Sequence, residues 1–236
     1  MRIYAAASAT ILVLAAVSVA TFLAHQRLPS LDPGLVPVTV DTGNGQKLLV
    51  ARHEVTIAEW QRCFEEGGCT HLPKPGFGAT GIGFPVTGVN WFDVNEYVAW
   101  ASQRSGHSLR LPTLAEWKSI SHEVPFKKRP KLFNDPRLAW AADYGTAGAP
   151  SPQLKSSGSF SHTRDGVADL DGNVWEWTAT CASPGFEGEA VARCPAYITA
   201  GEHAAIVSVF IRDPAIGGCA SGAPPQHLGL RLVADF

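Results

Sequence analysis

Asp169-Leu-Asp-Gly-Asn-Val-Trp-Glu-Trp177 holds two aspartates, a Gly-Asn pair and a third carboxylate, Glu176, set between two tryptophans. Gly172 and Asn173 are turn residues, because both tolerate positive φ. The Val-Trp-Glu-Trp-Thr that follows alternates apolar and polar groups, as a half-buried strand does. Residues two apart in an extended chain are equivalent, so the carbonyls of Gly172 and Val174 share an edge. Asp169 and Glu176 bring carboxylate oxygens to the same neighbourhood. An all-oxygen set without sulfur or imidazole favours a hard cation, calcium before magnesium. The competing reading is a turn closed by Asp and Asn side chains, with Glu176 solvated.

Cysteine and histidine supply the remaining chemistry. Cys63 and Cys69, separated by Phe-Glu-Glu-Gly-Gly, are spaced for a short disulfide loop after a helix. Among the other three, Cys181 with Cys194 is the favoured pairing, and Cys219 can replace either. No Cys-x-x-Cys or His-x-x-x-His spacing points to zinc. The eight histidines form no close helical pair; His53, His107, His122, His203 and His227 are scattered through loops and element ends.

Gly172-Asn-Val-Trp-Glu-Trp-Thr178 resembles the signature of the formylglycine-generating enzyme (sulfatase-modifying factor) superfamily. Three further stretches fit in order. They are Glu54-Val-Thr-Ile-Ala-Glu-Trp60, then Pro85-Val-Thr-Gly-Val-Asn-Trp-Phe-Asp93 leading to Arg110-Leu-Pro-Thr-Leu-Ala-Glu-Trp117, and Leu228-Gly-Leu-Arg-Leu232. The resemblance spans residues 36–236. It implies an α+β, C-type-lectin-like fold with little regular structure, short helices lying around small antiparallel sheets. It also implies a structural calcium site at Asp169, Gly172, Val174 and Glu176.

Formylglycine-generating enzymes oxidise a substrate cysteine with copper held by two thiolates, the soft donors copper(I) prefers. Aligned on Gly201, Ala205 and Phe210 fall where that pair belongs. The resemblance therefore implies a divergent member lacking the copper-binding cysteine pair, with copper not expected and the oxidase activity absent. Iron-dependent sulfoxide formation, the other chemistry of this scaffold, needs three histidines. The residues to test for altered chemistry are His203 and Glu202, beside the same strand, and Cys219.

The elements that position these groups read as follows. Arg2 precedes an apolar run from Ile3 to Ala24 closed by His25-Gln-Arg27, long enough for a hydrocarbon core of about 20 residues. Ser18-Val-Ala20 also suits a signal cleavage site. Residues 1–27 are thus a signal peptide or membrane anchor, 28–37 a proline-broken linker, and 38–236 the domain, placed in the periplasm or otherwise outside the cytoplasm. Val38-Thr-Val40 and Lys47-Leu-Leu-Val50 predict a hairpin. Thr56-Ile-Ala-Glu59 is a capping box opening a helix to Glu66, with Gly67 as its stop. Asp93-Val-Asn-Glu96 opens a second helix ended by Gly106, and Thr113-Leu-Ala-Glu116 a third. Trp60, Trp91 and Trp117 read as core. Ala204 to Ile211 suits a strand, and Leu228 to Val233 closes the sheet. A net charge of -2 implies no polyanion partner, and Lys127-Lys-Arg-Pro-Lys131 reads as a solvated loop.

Together these readings predict an exported, membrane-anchored, non-oxidising binding or accessory module that matures an exported partner, such as a metalloenzyme. The alternative is a metal-dependent oxidoreductase of the same superfamily with altered active-site residues.

Overall fold

The computed structural model describes residues 37–43, 45–126, 153–183, 193–201, 204–209, 224 and 227–235. The chain divides into two units, Met1–Asp32 and Pro33–Phe236, and all described residues belong to the second. The apolar run at 3–24, the basic run at 127–131, and Glu202, His203, Phe210 and Cys219 lie outside them. Among the described residues no helix is long and apolar enough to cross a membrane.

Among the described residues two four-stranded sheets and three helices build an α+β, C-type-lectin-like fold with little regular structure. In the first sheet, β1 (Pro37–Asp41) pairs antiparallel with β2 (Lys47–Ala51), and β2 with β8 (Val233–Asp235). The short β3 (Leu109–Arg110) lines the other edge of β8. The second sheet has the order β6 (Ala205–Ser208), β5 (Ala196–Ala200), β4 (Trp175–Cys181), β7 (Leu228–Gly229). Its β4–β7 contact is parallel and the rest antiparallel.

The stretch Leu228–Val233 therefore does not close one sheet. Its first two residues pair with β4 and its last joins the other sheet, so the segment between crosses from one to the other. Alternating apolarity looks the same in both settings, because a side-chain period of two does not name the partner strand.

All three helices start on reciprocal capping boxes. Thr56 caps α1 (Ile57–Glu65): Glu59 N–H donates to its hydroxyl, while Thr56 N–H donates to the Glu59 carboxylate at 2.7 Å. Thr113 and Glu116 repeat the device at α3 (Leu114–Ile120). The second helix, α2 (Trp91–Ser105), begins earlier than the sequence reading placed it, because Asn90 is the cap and Asp93 its reciprocal partner. Gly106 ends α2 in the left-handed conformation, φ 70°, where a Cβ is disfavoured.

The larger core lies between α1, α2 and the second sheet, around Trp60, Tyr97, Trp91 and Trp177. Trp91 stacks on Tyr197 with ring centroids 3.4 Å apart and meets Trp177 edge-on. A smaller core joins the first sheet to Trp117 and Ile120 of α3 and to Leu170. The turn carrying Asp169 thus sits against the smaller core, while β4 runs into the larger one.

Candidate functional site: a buried ionic knot and two cysteine pairs

Glu176 and Arg231 form an ion pair inside the protein. Arg231 Nη2 lies 2.8 Å from Glu176 Oε1, and both side chains are almost fully buried. Arg231 Nε donates to both carboxylate oxygens at 3.1 and 3.2 Å. Trp117 Nε1, from α3, donates to Oε2 at 2.8 Å. The rest of the guanidinium binds main-chain carbonyls: Nη1 donates to Ala51 and Arg52, Nη2 to Ala168. Burial works against the charge on Arg231, but Glu176 and Glu54 beside it hold it above its usual value.

Asp169 occupies a left-handed position, φ 66°, and so does Asn173 at 63°. The carboxylate of Asp169 accepts from Phe160 N–H at 2.8 Å and from Gly158 N–H. Asp171 accepts from Ser161 N–H, and the Asn173 side chain from Lys155 N–H. Three side chains of the turn therefore hold one strap, residues 155–161. Gly172 is required for a different reason from turn geometry: a Cβ there would lie 2.3 Å from the Phe160 ring.

The calcium reading needs Asp169, the carbonyls of Gly172 and Val174, and Glu176 to converge on one ion. A carboxylate offers about four acceptor sites, and in Glu176 three N–H groups, Arg231 Nε and Nη2 and Trp117 Nε1, already engage both oxygens. A guanidinium already in contact would also repel a divalent ion. The four residues do not fit calcium as a set in this geometry. Glu176 is also far from solvated, being 1% exposed.

Sequence reasoning missed Arg231 and Glu54 as members of this site. Glu54 is fully buried, and neither of its oxygens has a hydrogen-bond partner among the described residues. Burial pushes its carboxyl well above the usual range against the pull of Arg231, and Glu176 and Asp169 add to the rise. The signal was a lone arginine inside Leu228-Gly-Leu-Arg-Leu-Val233. A charge in a buried run requires a buried partner.

Among the described residues two cysteine pairs are joined. Cys63–Cys69 closes the end of α1 with Cα atoms 5.3 Å apart, and Cys181–Cys194 ties the end of β4 to the chain before β5, Cα atoms 5.9 Å apart. Both pairings are those the spacing predicted, and Cys63–Cys69 corrects the expectation that the chain lacks a copper-binding cysteine pair, and with it the exclusion of copper and of oxidase activity. That exclusion rested on the alanine and phenylalanine at positions 205 and 210. The fold brings Cys63 and Cys69 within bonding distance by another route, and once reduced they are two soft thiolates, the donors copper(I) takes.

A pocket of about 120 Å³ lies against α1, lined by Ile57, Trp60, Leu72, Lys74, Val86 and Thr87 among others. Trp60 is one turn before Cys63 and donates to His71 O at 2.8 Å. The Thr87 hydroxyl is buried without a hydrogen-bond partner among the described residues. On the second sheet, Ala205 pairs with Thr199. Gly201 packs on Trp175, where a Cβ would lie 2.6 Å from the indole, and His227 meets the same ring edge-on at 5.2 Å.

Comparison with known proteins agrees with this architecture. Residues 36–236 match the family described as sulfatase-modifying factor enzyme 1-like domain. A formylglycine-generating enzyme from Mycobacterium tuberculosis is 30% identical over 181 residues, which cover 64% of this chain and 54% of that protein. The chain thus spans about half the length of this curated relative. Two solved structures share the fold. PvdO from Pseudomonas aeruginosa has a TM-score of 0.52 and 19% identity, with 81% of this chain and 82% of that one covered. Treponema denticola variable protein 1 has a TM-score of 0.50 and 17% identity, with 80% and 85% covered.

Proposed function

We propose a function from one premise: the chain belongs to the sulfatase-modifying factor enzyme 1-like domain family. It is a metal-dependent oxidoreductase of that family with altered active-site residues, acting outside the cytoplasm on a cysteine of an exported polypeptide. The observation behind this reading is the Cys63–Cys69 pair, together with the likeness to a formylglycine-generating enzyme. Joined cysteines also support an oxidising compartment.

Copper(I), held by Cys63 and Cys69 after reduction of their disulfide, would supply electron transfer to oxygen. The chain's own contribution is positional. α1 fixes Cys63 through its capped N-terminus, and the glycines at 67 and 68 turn the chain so that Cys69 N–H reaches Cys63 O at 3.2 Å. The neighbouring pocket offers an apolar wall, an unpartnered hydroxyl at Thr87 and the cation of Lys74 to a polypeptide segment.

The test is oxygen-dependent oxidation of a cysteine-bearing peptide by the full chain loaded with copper(I) or iron(II), followed by mass spectrometry. Activity is expected with copper, lost in Cys63→Ser/Cys69→Ser and kept in Cys181→Ser/Cys194→Ser. Absence of peptide oxidation with either metal would remove the reading.

A further inference from the structure

The ionic knot resolves its charge in a way that bears on metal dependence, independently of the oxidoreductase reading. Arg231 has five N–H donors, and each is used. Nε and one Nη2 hydrogen serve Glu176, the second Nη2 hydrogen serves Ala168 O, and Nη1 serves Ala51 O and Arg52 O. These acceptors come from the end of β2, from the turn before Asp169 and from β4, which are remote in sequence. Cross-linking remote oxygens is what a calcium ion does for a loop-rich domain. Asp169, the other expected ligand, is held by the amides of Gly158 and Phe160.

We propose that Arg231 is the resident cation of this knot, so that the domain assembles around a guanidinium and needs no calcium at Asp169 and Glu176. The geometry supplies what a cation would. A planar fork meets one carboxylate and three carbonyls, Trp117 completes the acceptor set of Glu176, and the 155–161 strap completes that of the turn. A fork of this shape is specific to arginine, because a lysine ammonium has three donors and no planar array.

The experiment is thermal unfolding of the full chain in calcium and in chelator, with calcium content measured after dialysis. The expected result is one melting temperature in both conditions and no stoichiometric calcium. A site filled at about a hundred times its Kd would instead raise the melting temperature by roughly 5–10 °C in a chain of this size. That rise, or one bound calcium per chain, would overturn the assignment. Asp169→Asn, a milder change than any at Arg231, is expected to lower the melting temperature equally in both conditions. A loss confined to calcium-containing buffer would place a metal ligand at Asp169.

Discussion

Glu54 is the residue whose environment is least compensated. Arg231 attracts its carboxyl group, but every N–H of that guanidinium is committed to Glu176 or to carbonyls, and both Glu54 oxygens lack a hydrogen-bond partner among the described residues. Burial first, then the carboxylates of Glu176 on β4 and Asp169 on the turn, raise its pKa, while Arg231 pulls the other way. The folded protein therefore binds a proton at Glu54 that the unfolded chain releases above about pH 4.3. Stability falls as pH rises from that value through the folded pKa, because there the folded state holds more protons than the unfolded one. Urea unfolding at pH 5 and pH 8 tests the sign. The wild type should lose stability over that interval relative to Glu54→Gln, whose curve is flatter. Parallel curves would mean that Glu54 is ionised in the folded state. At this scale the sequence showed Asp169 and Glu176 as unusual carboxylates but not what they bind. The deciding partners, Arg231 and Trp117, lie 55 and 59 residues from Glu176, and local spacing carries no information about contacts at that separation.

At the scale of elements, local chemistry was legible wherever a side chain answers its own backbone. The Thr56–Glu59 and Thr113–Glu116 boxes read directly, since cap and reciprocal carboxylate lie three residues apart. The start of α2 was misplaced because Asp93-Val-Asn-Glu96 has the spacing of a capping box; in the structure Asn90 is the cap, Asp93 is its reciprocal partner, and Glu96 instead accepts from Thr70. Asn90→Ala removes the acceptor for Asp93 N–H and leaves a buried amide unserved. The expected cost is about 1–2 kcal/mol, seen as a lower denaturation midpoint with an unchanged slope. Asn90→Ser, which keeps a capping oxygen, should recover most of that loss, whereas equal losses would show that packing of the Asn90 side chain matters more than the cap. The Glu116 box has an added role. Arg110 bridges Glu116 and Asp235, tying α3 to β8. Burial opposes ionisation of Glu116, but the hydrogen bond from Arg110 prevails and holds its pKa below the usual carboxylate value.

For the whole molecule, the α+β architecture followed from the ordered motifs, but the way one segment serves both sheets did not. The Cys63–Cys69 loop after α1 was legible from its spacing and is joined as expected; what its spacing did not show is that the same pair, once reduced, offers copper(I) two thiolates. With so little regular structure, covalent ties must replace part of the cooperativity that long helices and strands supply. The two disulfides close loops of different length, with separations of 6 and 13 residues. Chain entropy assigns about 2.3 kcal/mol to the shorter and about 3 kcal/mol to the longer, a difference of about 0.6 kcal/mol. Cys181→Ser/Cys194→Ser should therefore lower the melting temperature more than Cys63→Ser/Cys69→Ser, by roughly 1–3 °C. Packing opposes this order. Cys63 and Cys69 are both buried in the larger core beside Trp60, whereas Cys181 is only partly buried at the end of β4. Thermal unfolding of the two double variants, each with and without reductant, separates the effects. If loop entropy governs, the Cys181 and Cys194 variant melts lowest, and reductant brings the wild type below both. If the Cys63 and Cys69 variant melts lowest, burial outweighs loop length, and that pair is a structural tie of the core before it is a redox pair.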